Sequence, residues 1–418
     1  MSSYRELSPS PRTIMTPGPV EVDPRVLRAM SYPILGQFDP EFTALMNQTM
    51  EMLRMIYQTN NQWCYPVDGT SRSGIEAVLT SLIRPGDKVL VPIFGRFGHL
   101  LVELAERCGA EVCILERDWG GVFDPEDIIQ EAKRVRLDLV AMVHGETSTG
   151  QIQPLAEIGA ACREMDILLV VDAVATIGGV PVETDDWKLD AVMGGTQKCL
   201  SVPAGMAPLT YNERAEQRIQ ARKRVERGLR GPIEDAKVAL TVTDPIKCRP
   251  IQSNYLDLSQ LQDYWSPARL NHHTEATNML YALYEGLRII LDEGLEARFA
   301  RHRLHEAALM AGLQALGLQL YGNVASKLTV VTCVHIPVGI DGEQVRSMLL
   351  HDFGIEIASS FGPLRGKIWR IGTMGYSCRQ TNVLHTLGAL EAVLIRSGYR
   401  APAGEAVQAA LDVYQGKH

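Results

Sequence analysis

ILLVVDAV, residues 167–174, is an apolar, β-branched run that a single carboxylate, Asp172, interrupts. Its length and composition are typical of a strand buried on both faces of a parallel sheet. Helix-like stretches such as GHLLVELAERCGA (98–110) separate further runs of this kind. Those runs are KVLVP (88–92), EVCIL (111–115), LDLVAMVH (137–144) and LDAVM (189–193). The alternation predicts an α/β fold with a mostly parallel sheet and helices on both faces, whose ligands bind at the carboxyl ends of the strands.

The composition limits the class of protein. The chain has 418 residues, of which 46% are hydrophobic and 22% charged, as in globular proteins with room for two domains. A net charge of -8, with no basic block, argues against a nucleic-acid partner. The sequence has no apolar window long enough to span a membrane, no signal peptide and no retention address. The eight cysteines have no metal-type spacing. We therefore expect a cytoplasmic protein without a metal site.

The hydrophobic pattern predicts three segments. Residues 1–24 are polar and proline-rich and are expected to form an extended arm. Residues 25–294 carry the alternating strands and helices of a large domain. Its last helix has four apolar residues at helical spacing: Leu280, Leu283, Leu287 and Ile290. Residues 295–418 are expected to form a smaller α+β domain with strands in KLTVVTCVHIP, GIEIASS and KIWRIGTMG.

GGTQKCLSVPAG (194–205) has one charged residue, Lys198, among small and apolar neighbours. A lysine on a solvated helix face usually has acidic partners three or four residues away. Lys198 is therefore either an isolated surface lysine or a desolvated amine whose lowered pKa makes it a nucleophile. Asp172 either caps the next helix or holds a proton on a ring nitrogen of a cofactor such as pyridoxal phosphate (PLP). The spacing of 26 residues lets both face one crevice.

Four more motifs each allow a plain and a functional interpretation. DGTSRSG (68–74) is a Ser/Thr helix cap or an anion site at a helix N-terminus. FGRFGH (94–99) puts an aromatic ring after a strand, for core closure or for stacking. HGETSTG (144–150) is a polar turn or a source of hydroxyl groups. WRIGTMG (369–375) supplies Arg370, for a salt bridge between domains or for a substrate carboxylate.

Taken together, five stretches, in this order and spacing, resemble the class V aminotransferases of the fold-type I PLP enzymes, and within them the alanine/serine-glyoxylate aminotransferase group. The stretches are SRSGIEA (71–77), HGETSTGQIQP (144–154), VVDAVATIGG (170–179), GGTQKCL (194–200) and KIWRIG (367–372). The resemblance runs from about Met15 to about Gly398. It implies a fold-type I PLP-transferase with a mixed, mostly parallel sheet in the large domain and a smaller C-terminal α+β domain.

The resemblance assigns roles around the cofactor ring. Lys198 corresponds to the lysine that joins PLP through a Schiff base and later moves the Cα proton. Asp172 would pair with the pyridinium nitrogen. Phe97 stands where the family has an aromatic residue, often tryptophan, that stacks on the ring. Thr147 is expected to hydrogen-bond the ring oxygen, and Val174 to pack on the opposite ring face.

The resemblance also implies sites for the phosphate and for the substrate. Four residues match phosphate-binding positions: Thr70, Ser71, Arg72 and Gln197. Thr274 is expected to reach the phosphate of the neighbouring subunit, which implies a homodimer with active sites at the subunit interface. Arg370 is expected to bind the α-carboxylate of the substrate.

Two positions differ from the commoner members of the group. Gln37 lies in LGQFDPEF (35–42), where the group often has histidine or a small residue. Asn271 lies in RLNHHTE (269–275), where alanine-glyoxylate enzymes have tyrosine. Amides donate and accept hydrogen bonds in fixed geometry, so the pair suits a ureido group, and a site of this kind rejects analogues that lack the group.

The amide pair resembles that of members that act on (S)-ureidoglycine. The expected reaction transfers its amino group to glyoxylate, giving oxalurate and glycine, in purine (uric acid and allantoin) catabolism. The alternative is an alanine- or serine-glyoxylate aminotransferase in which Gln37 and Asn271 have drifted.

Two further alternatives are disfavoured. A cysteine desulfurase-like lyase needs a mobile cysteine loop in the last third, but Cys333 and Cys378 lie in strand-like or compact surroundings. A PLP-binding regulator without turnover usually carries a fused DNA-binding segment, and the arm before Val20 is too short to hold one.

Overall fold

The apolar runs form strands in a computed structural model of the chain, which describes residues 4, 6–224, 226 and 249–417. The strands are β1 (Thr13–Ile14), β2 (Trp63–Gly69), β3 (Lys88–Ile93), β4 (Glu111–Glu116), β5 (Leu139–Val143), β6 (Gly145–Glu146), β7 (Gln151–Ile152), β8 (Leu168–Asp172), β9 (Ala191–Met193), β10 (Gly205–Tyr211), β11 (Val331–His335), β12 (Ile355–Glu356), β13 (Ala358–Ser359) and β14 (Ile368–Gly372). The α-helices are α1 (Pro24–Ala29), α2 (Pro40–Tyr57), α3 (Ser71–Leu82), α4 (Arg96–Arg107), α5 (Pro125–Arg134), α6 (Ala156–Glu164), α7 (Glu213–Gln220), α8 (Leu258–Trp265), α9 (Thr277–Glu293), α10 (Leu295–Ala315), α11 (Gly342–Phe353), α12 (Gln380–Arg396) and α13 (Glu405–Tyr414).

The large sheet has seven strands in the order β2-β10-β9-β8-β5-β3-β4. All but β10 run in the same direction, because β10 pairs antiparallel with both of its neighbours. Strands β5 and β8 are buried along their whole length, as expected where helices cover both faces of a sheet. The five strands expected in this region are all present, so the prediction of a mostly parallel α/β sheet is confirmed.

The sequence does not predict strands β2 and β10, although they pair over seven residues. Pro66 and Pro208 lie opposite one another in this ladder. Proline donates no ladder hydrogen bond and is usually confined to sheet edges. Strand β2 is an edge strand, and the Pro208 carbonyl accepts hydrogen bonds from the Tyr57 hydroxyl and the Gly194 amide. Tertiary contacts therefore complete a pairing that the local sequence disfavours.

A second sheet lies in the last third of the chain. Its three antiparallel strands have the order β11-β14-β13, and they share an apolar core with side chains of α10 to α13. The four apolar residues that the sequence assigns to the core of α9 are buried in the larger core: Leu280, Leu283, Leu287 and Ile290. Helix α9 ends at Glu293 and α10 begins at Leu295, next to the expected domain boundary. The three segment limits themselves stay predictions.

Part of the expected N-terminal arm is bound to the rest of the chain. Strand β1 pairs in parallel with β12, and Met15 is buried in the C-terminal core. Residues 1–3 and 5 of the arm lie outside the described residues. In the described ranges, none of the helices has both the length and the apolar character that a membrane crossing needs.

Candidate active site

The carboxyl ends of the parallel strands bring most of the predicted site residues together. Thr70 follows β2, Phe97 follows β3, Thr147 follows the short strand β6 just after β5, Asp172 ends β8 and Lys198 follows β9. This is the edge of an open α/β sheet at which ligands bind. The residues line one cavity of about 250 Å³. Nine of the predicted residues contribute to its wall: Thr70, Ser71, Arg72, Phe97, Thr147, Asp172, Val174, Gln197 and Lys198.

Lys198 is a buried amine rather than a surface lysine. It is only 9% exposed, and burial together with the nearby Arg370 charge lowers the pKa of Lys198 to about 8. Its amine donates a hydrogen bond to the carbonyl oxygen of Pro17. The backbone passes so close that a Cβ atom on Gly18 would lie 2.2 Å from Lys198 Cδ. The N-terminal segment therefore covers the lysine directly.

Asp172 lies with its carboxylate buried at the same cavity. Burial raises the pKa of Asp172 to about 6. Its Oδ1 atom accepts a hydrogen bond from the backbone N–H of Val174 at 2.9 Å. The residues after Asp172 form turns rather than an α-helix, so Asp172 is not a helix cap. Its raised pKa means that a cationic partner would stabilise the ionised carboxylate.

One end of the cavity is suited to an anion. Helix α3 begins there, and the side chain of its N-cap residue, Thr70, makes no capping hydrogen bond. Unpaired N–H groups at a helix N-terminus attract negative charge. Ser71 Oγ donates to Gln197 Oε1 at 2.9 Å, which joins this helix to the segment that carries the lysine. Arg72 adds a positive charge to the cavity wall.

Arg370 lies beside this cavity and is bonded to its wall. Its Nη1 donates to the Thr147 carbonyl at 3.0 Å, and its Nε donates to the Ser359 carbonyl at 2.7 Å. The guanidinium carbon lies 4.6 Å from the centroid of the Phe361 ring. Burial lowers the pKa of Arg370 to about 10, so the side chain stays cationic at neutral pH. Within the described part of the chain it forms neither a salt bridge nor a hydrogen bond through Nη2, and so it can accept an anionic ligand.

The structure brings Gln37 and Asn271 together, but not into the cavity of the same chain. Gln37 Nε2 donates to Asn271 Oδ1 at 3.3 Å, across 234 positions of sequence. Neither residue lines the Lys198 cavity, and Asn271 and Thr274 are both exposed. Two large apolar neighbours of Gln37 are exposed as well: Ile34 at 70% and Phe38 at 82%.

A charged cluster that the sequence motifs do not indicate joins Asp68, near the end of β2, to His273 and Glu275. His273 Nε2 lies 3.4 Å from Asp68 Oδ2 and 3.6 Å from Glu275 Oε2. These are residue types that can hold a metal ion. Burial disfavours the charged histidine, but hydrogen bonding and charge from the two carboxylates raise the pKa of His273 to about 9. We therefore interpret the cluster as an ion pair between His273 and Asp68 beside Glu275, whose pKa burial raises, and the expected absence of a metal site stays a prediction.

The described cysteines are free and offer no activated thiol in the last third of the chain. Cys333 and Cys378 are buried, and burial raises the pKa of each to about 12. A thiol needs a lowered pKa and access to solvent to act as a nucleophile. Cys248 lies outside the described residues. Neither of the two cysteines therefore meets the requirement of a desulfurase-like lyase.

Comparisons with known proteins define the class. The chain belongs to the class-V aminotransferase family, whose model matches residues 33–226, and its α/β architecture is that of the fold-type I transferases. It is 66% identical over 415 residues to the (S)-ureidoglycine–glyoxylate transaminase of Bacillus subtilis (strain 168), covering 99% of this chain and 98% of that protein. A crystal structure of ureidoglycine-glyoxylate aminotransferase from the same species superposes with a TM-score of 0.92 at 65% identity, covering 98% and 100% of the two chains. The alanine–glyoxylate aminotransferase of Callithrix jacchus is 33% identical over 91% of this chain and 86% of that protein.

Proposed function

We propose that this chain is a PLP-dependent transaminase that moves the amino group of (S)-ureidoglycine to glyoxylate, giving oxalurate and glycine. The identity of 66% to a ureidoglycine–glyoxylate transaminase, over nearly the whole of both chains, supports this pair of substrates. The reaction belongs to purine catabolism, in the breakdown of uric acid and allantoin.

One observation carries the cofactor assignment: a buried amine, a buried carboxylate and an open helix N-terminus face the same cavity. PLP has an aldehyde, a basic ring nitrogen and a phosphate, and each needs one of these partners. Lys198 fits the aldehyde end and Asp172 fits the ring nitrogen. The phosphate fits the N-terminus of α3 with four side chains: Thr70, Ser71, Arg72 and Gln197. When bound, PLP supplies an electron-withdrawing ring that accepts the electrons released as the substrate Cα–H bond breaks.

The side chains around the cavity would transfer the proton, hold the cofactor ring and bind the substrate. Because its pKa is about 8, Lys198 is partly neutral at pH 7, and its amine can take the proton from the substrate Cα and return it. Asp172 keeps a proton on the ring nitrogen, since opposite charges stabilise one another in a buried site. Phe97 and Val174 cover the ring and exclude water. Arg370 binds the α-carboxylate through its free Nη2.

We assign donor selectivity to the Gln37–Asn271 pair, acting on the cavity of a second subunit. Both amides are outside the cavity of their own chain, and exposed apolar side chains surround Gln37 in the sequence. Apolar surface of this kind is typically buried in an oligomer. Gln37 Oε1 has no hydrogen-bond partner among the described residues, so a change of side-chain rotamer would let it accept a hydrogen bond from a ureido N–H group. Thr274 of the same loop would reach the phosphate of the second subunit.

The homodimer and its cytoplasmic location are part of the proposal. The free thiols of the seven described cysteines suit a reducing compartment. Phe38→Asp places a charge in the exposed apolar region and should shift the protein from dimer to monomer in sedimentation velocity, with loss of transamination. A variant that remains dimeric would place the interface elsewhere.

Half-reaction spectra test the substrate. The PLP-loaded protein is mixed separately with (S)-ureidoglycine, L-alanine and L-serine, and the loss of the visible cofactor band is followed. We expect ureidoglycine to react at least about 100-fold faster, because the amide pair would reject donors without a ureido group. Lys198→Ala should show no visible band and no turnover. Fast conversion by alanine, with none by ureidoglycine, would assign an alanine-glyoxylate activity instead and leave the cofactor assignment intact.

A further inference from the structure

The first turn of helix α4 lacks a cap of its own. Its N-cap residue is Gly95, which has no side chain to accept a hydrogen bond. The first N–H groups of a helix need acceptors from elsewhere. Here Glu146 Oε2 accepts the N–H of Phe97 at 2.8 Å, and Ser148 Oγ accepts the N–H of Arg96 at 3.0 Å. The cap therefore comes from the β6–β7 hairpin.

Glu146 also holds its own loop. Its Oε1 atom accepts hydrogen bonds from the Ser148 amide at 2.9 Å and from the Ser148 hydroxyl at 2.7 Å. This fixes the residue between them, Thr147. Glycine at position 95 makes room for the carboxylate, since a Cβ atom there would lie 2.3 Å from Glu146 Cγ. One buried carboxylate thus joins the backbones that carry Phe97 and Thr147.

Burying a carboxylate costs free energy, and the partners of Glu146 offset that cost. Burial raises the pKa of Glu146, while its bonds to Ser148 and Phe97 and the Arg370 charge act in the opposite direction. Negative charge is also favourable at the N-terminus of a helix. The usual local cap, a short polar residue at position 95, would satisfy the helix alone. Glu146, together with Ser148, instead makes the spacing of the two segments depend on side chains from outside helix α4.

We propose that Glu146 is a positioning residue that fixes the Phe97 ring and the Thr147 hydroxyl relative to each other at the cofactor ring. Glu146 does not itself line the cavity. It acts through Phe97 and Thr147, which line the cavity. The inference rests on the proposed function only through PLP and does not depend on ureidoglycine as the donor.

Glu146→Gln tests this with little change of size. An amide nitrogen cannot accept a hydrogen bond, so one of the two loops loses its contact. Losing a hydrogen bond to a charged group is expected to weaken PLP binding about 10- to 100-fold. The visible circular dichroism band of the bound cofactor should also shrink, because the ring is held less firmly. In steady-state kinetics kcat should fall more than the KM for glyoxylate rises.

Asp190→Asn is the matched control. Asp190 is also a buried carboxylate that accepts a backbone N–H, that of Leu169 at 2.8 Å, and it pairs with Arg214. It does not line the cavity. We expect this variant to lower the Tm of the cofactor-free protein, while PLP affinity and the dichroism band stay within twofold of the wild type. A Glu146→Gln protein with the same behaviour would overturn the proposal.

Ser148→Ala keeps the proposal testable if Glu146→Gln does not fold. It removes the acceptor of the Arg96 amide and one donor to Glu146, and it leaves the carboxylate in place. We expect a two- to tenfold loss of PLP affinity, as for about one neutral hydrogen bond, and a smaller dichroism band. An unchanged band contradicts the proposal. Wild-type protein that binds PLP but does not react with ureidoglycine refutes the substrate alone, whereas wild type that binds no PLP refutes both.

Discussion

Gly18→Ala should strongly lower the activity of the protein while leaving it folded. Gly18 has a φ of +83°, a conformation that costs an alanine roughly 1–2 kcal/mol. In addition, the new Cβ would lie 2.2 Å from Lys198 Cδ, 2.6 Å from Cε and 2.5 Å from Nζ. The lysine must therefore move, because ordinary carbon contacts begin near 3.4 Å.

The separation needed to relieve this overlap is roughly 1 Å, and a misplacement of that size costs about 100-fold in rate when it affects a reacting group. We expect kcat/KM to fall by about that factor. The backbone strain alone lowers Tm by only a few degrees in a chain of this size. The visible band formed on addition of PLP should weaken in parallel, since the amine no longer reaches the same position.

Gly339→Ala introduces the same backbone strain without moving Lys198. Gly339 has the same φ of +83°, and a Cβ atom on it would meet nothing within 4 Å. It should therefore show the small loss of Tm and retain the activity and the PLP band of the wild type. Equal activity in the two variants would refute the argument that the N-terminal segment sets the position of Lys198.

Three further predictions concern Asp172, Lys198 and Gly159. Folding raises the pKa of Asp172 from 3.8 to about 6, so ionising this buried carboxyl lowers the free energy of unfolding. The loss is small below about pH 4, grows up to pH 6 and reaches roughly 3 kcal/mol at neutral pH. Asp172→Asn should then raise the Tm of the cofactor-free protein most at pH 8 and roughly half as much at pH 5, while it weakens PLP binding; a lower Tm at pH 8 would contradict this. The lowered pKa of Lys198 predicts that the rate of PLP binding rises about tenfold from pH 7 to 9 and then levels, as the neutral amine is formed; stopped-flow absorbance would show a continued rise to pH 10.5 if the amine were not desolvated. Gly159→Ala would put a Cβ atom 1.8 Å from the Trp187 carbonyl oxygen. It should lower the free energy of unfolding in urea by about 1–3 kcal/mol without altering the cofactor band. Gly388→Ala is the control, because the nearest contact of its Cβ would be at 3.6 Å, and it should not destabilise the protein.

The sequence predicted those parts of the fold in which local pattern and environment agree. Strand β8 is apolar and β-branched because helices cover both of its faces, and so its pattern is visible. Strands β2 and β10 contain Pro66 and Pro208, and their pairing depends on contacts such as that between the Tyr57 hydroxyl and the Pro208 carbonyl. No short window of sequence contains such contacts. The sequence also predicted the cavity, because its residues follow strands whose carboxyl ends share one edge of the sheet.

The rest of the site depends on pairs that are distant in sequence. The Gln37–Asn271 hydrogen bond joins positions 234 apart, and no periodicity relates them. Glu146 lies in a motif that looks like an ordinary polar turn, and the helix that it caps begins about 50 residues earlier. One signal was present: helix α4 starts after glycine rather than after Ser, Thr, Asp or Asn, so its cap had to come from another segment.

The pairing of β1 with β12 has a consequence for the order in which the protein matures. Thr13 is aligned with Ile355, and the carbonyl that receives the Lys198 amine belongs to Pro17, four residues after Thr13. During synthesis β1 leaves the ribosome well before its strand partner, β12, is made. The segment that covers the lysine is thus made before its strand partner and cannot complete this pairing until β12 exists. A nascent chain that has formed the large sheet still has an uncovered Lys198, and the site is completed only when the C-terminal part has folded.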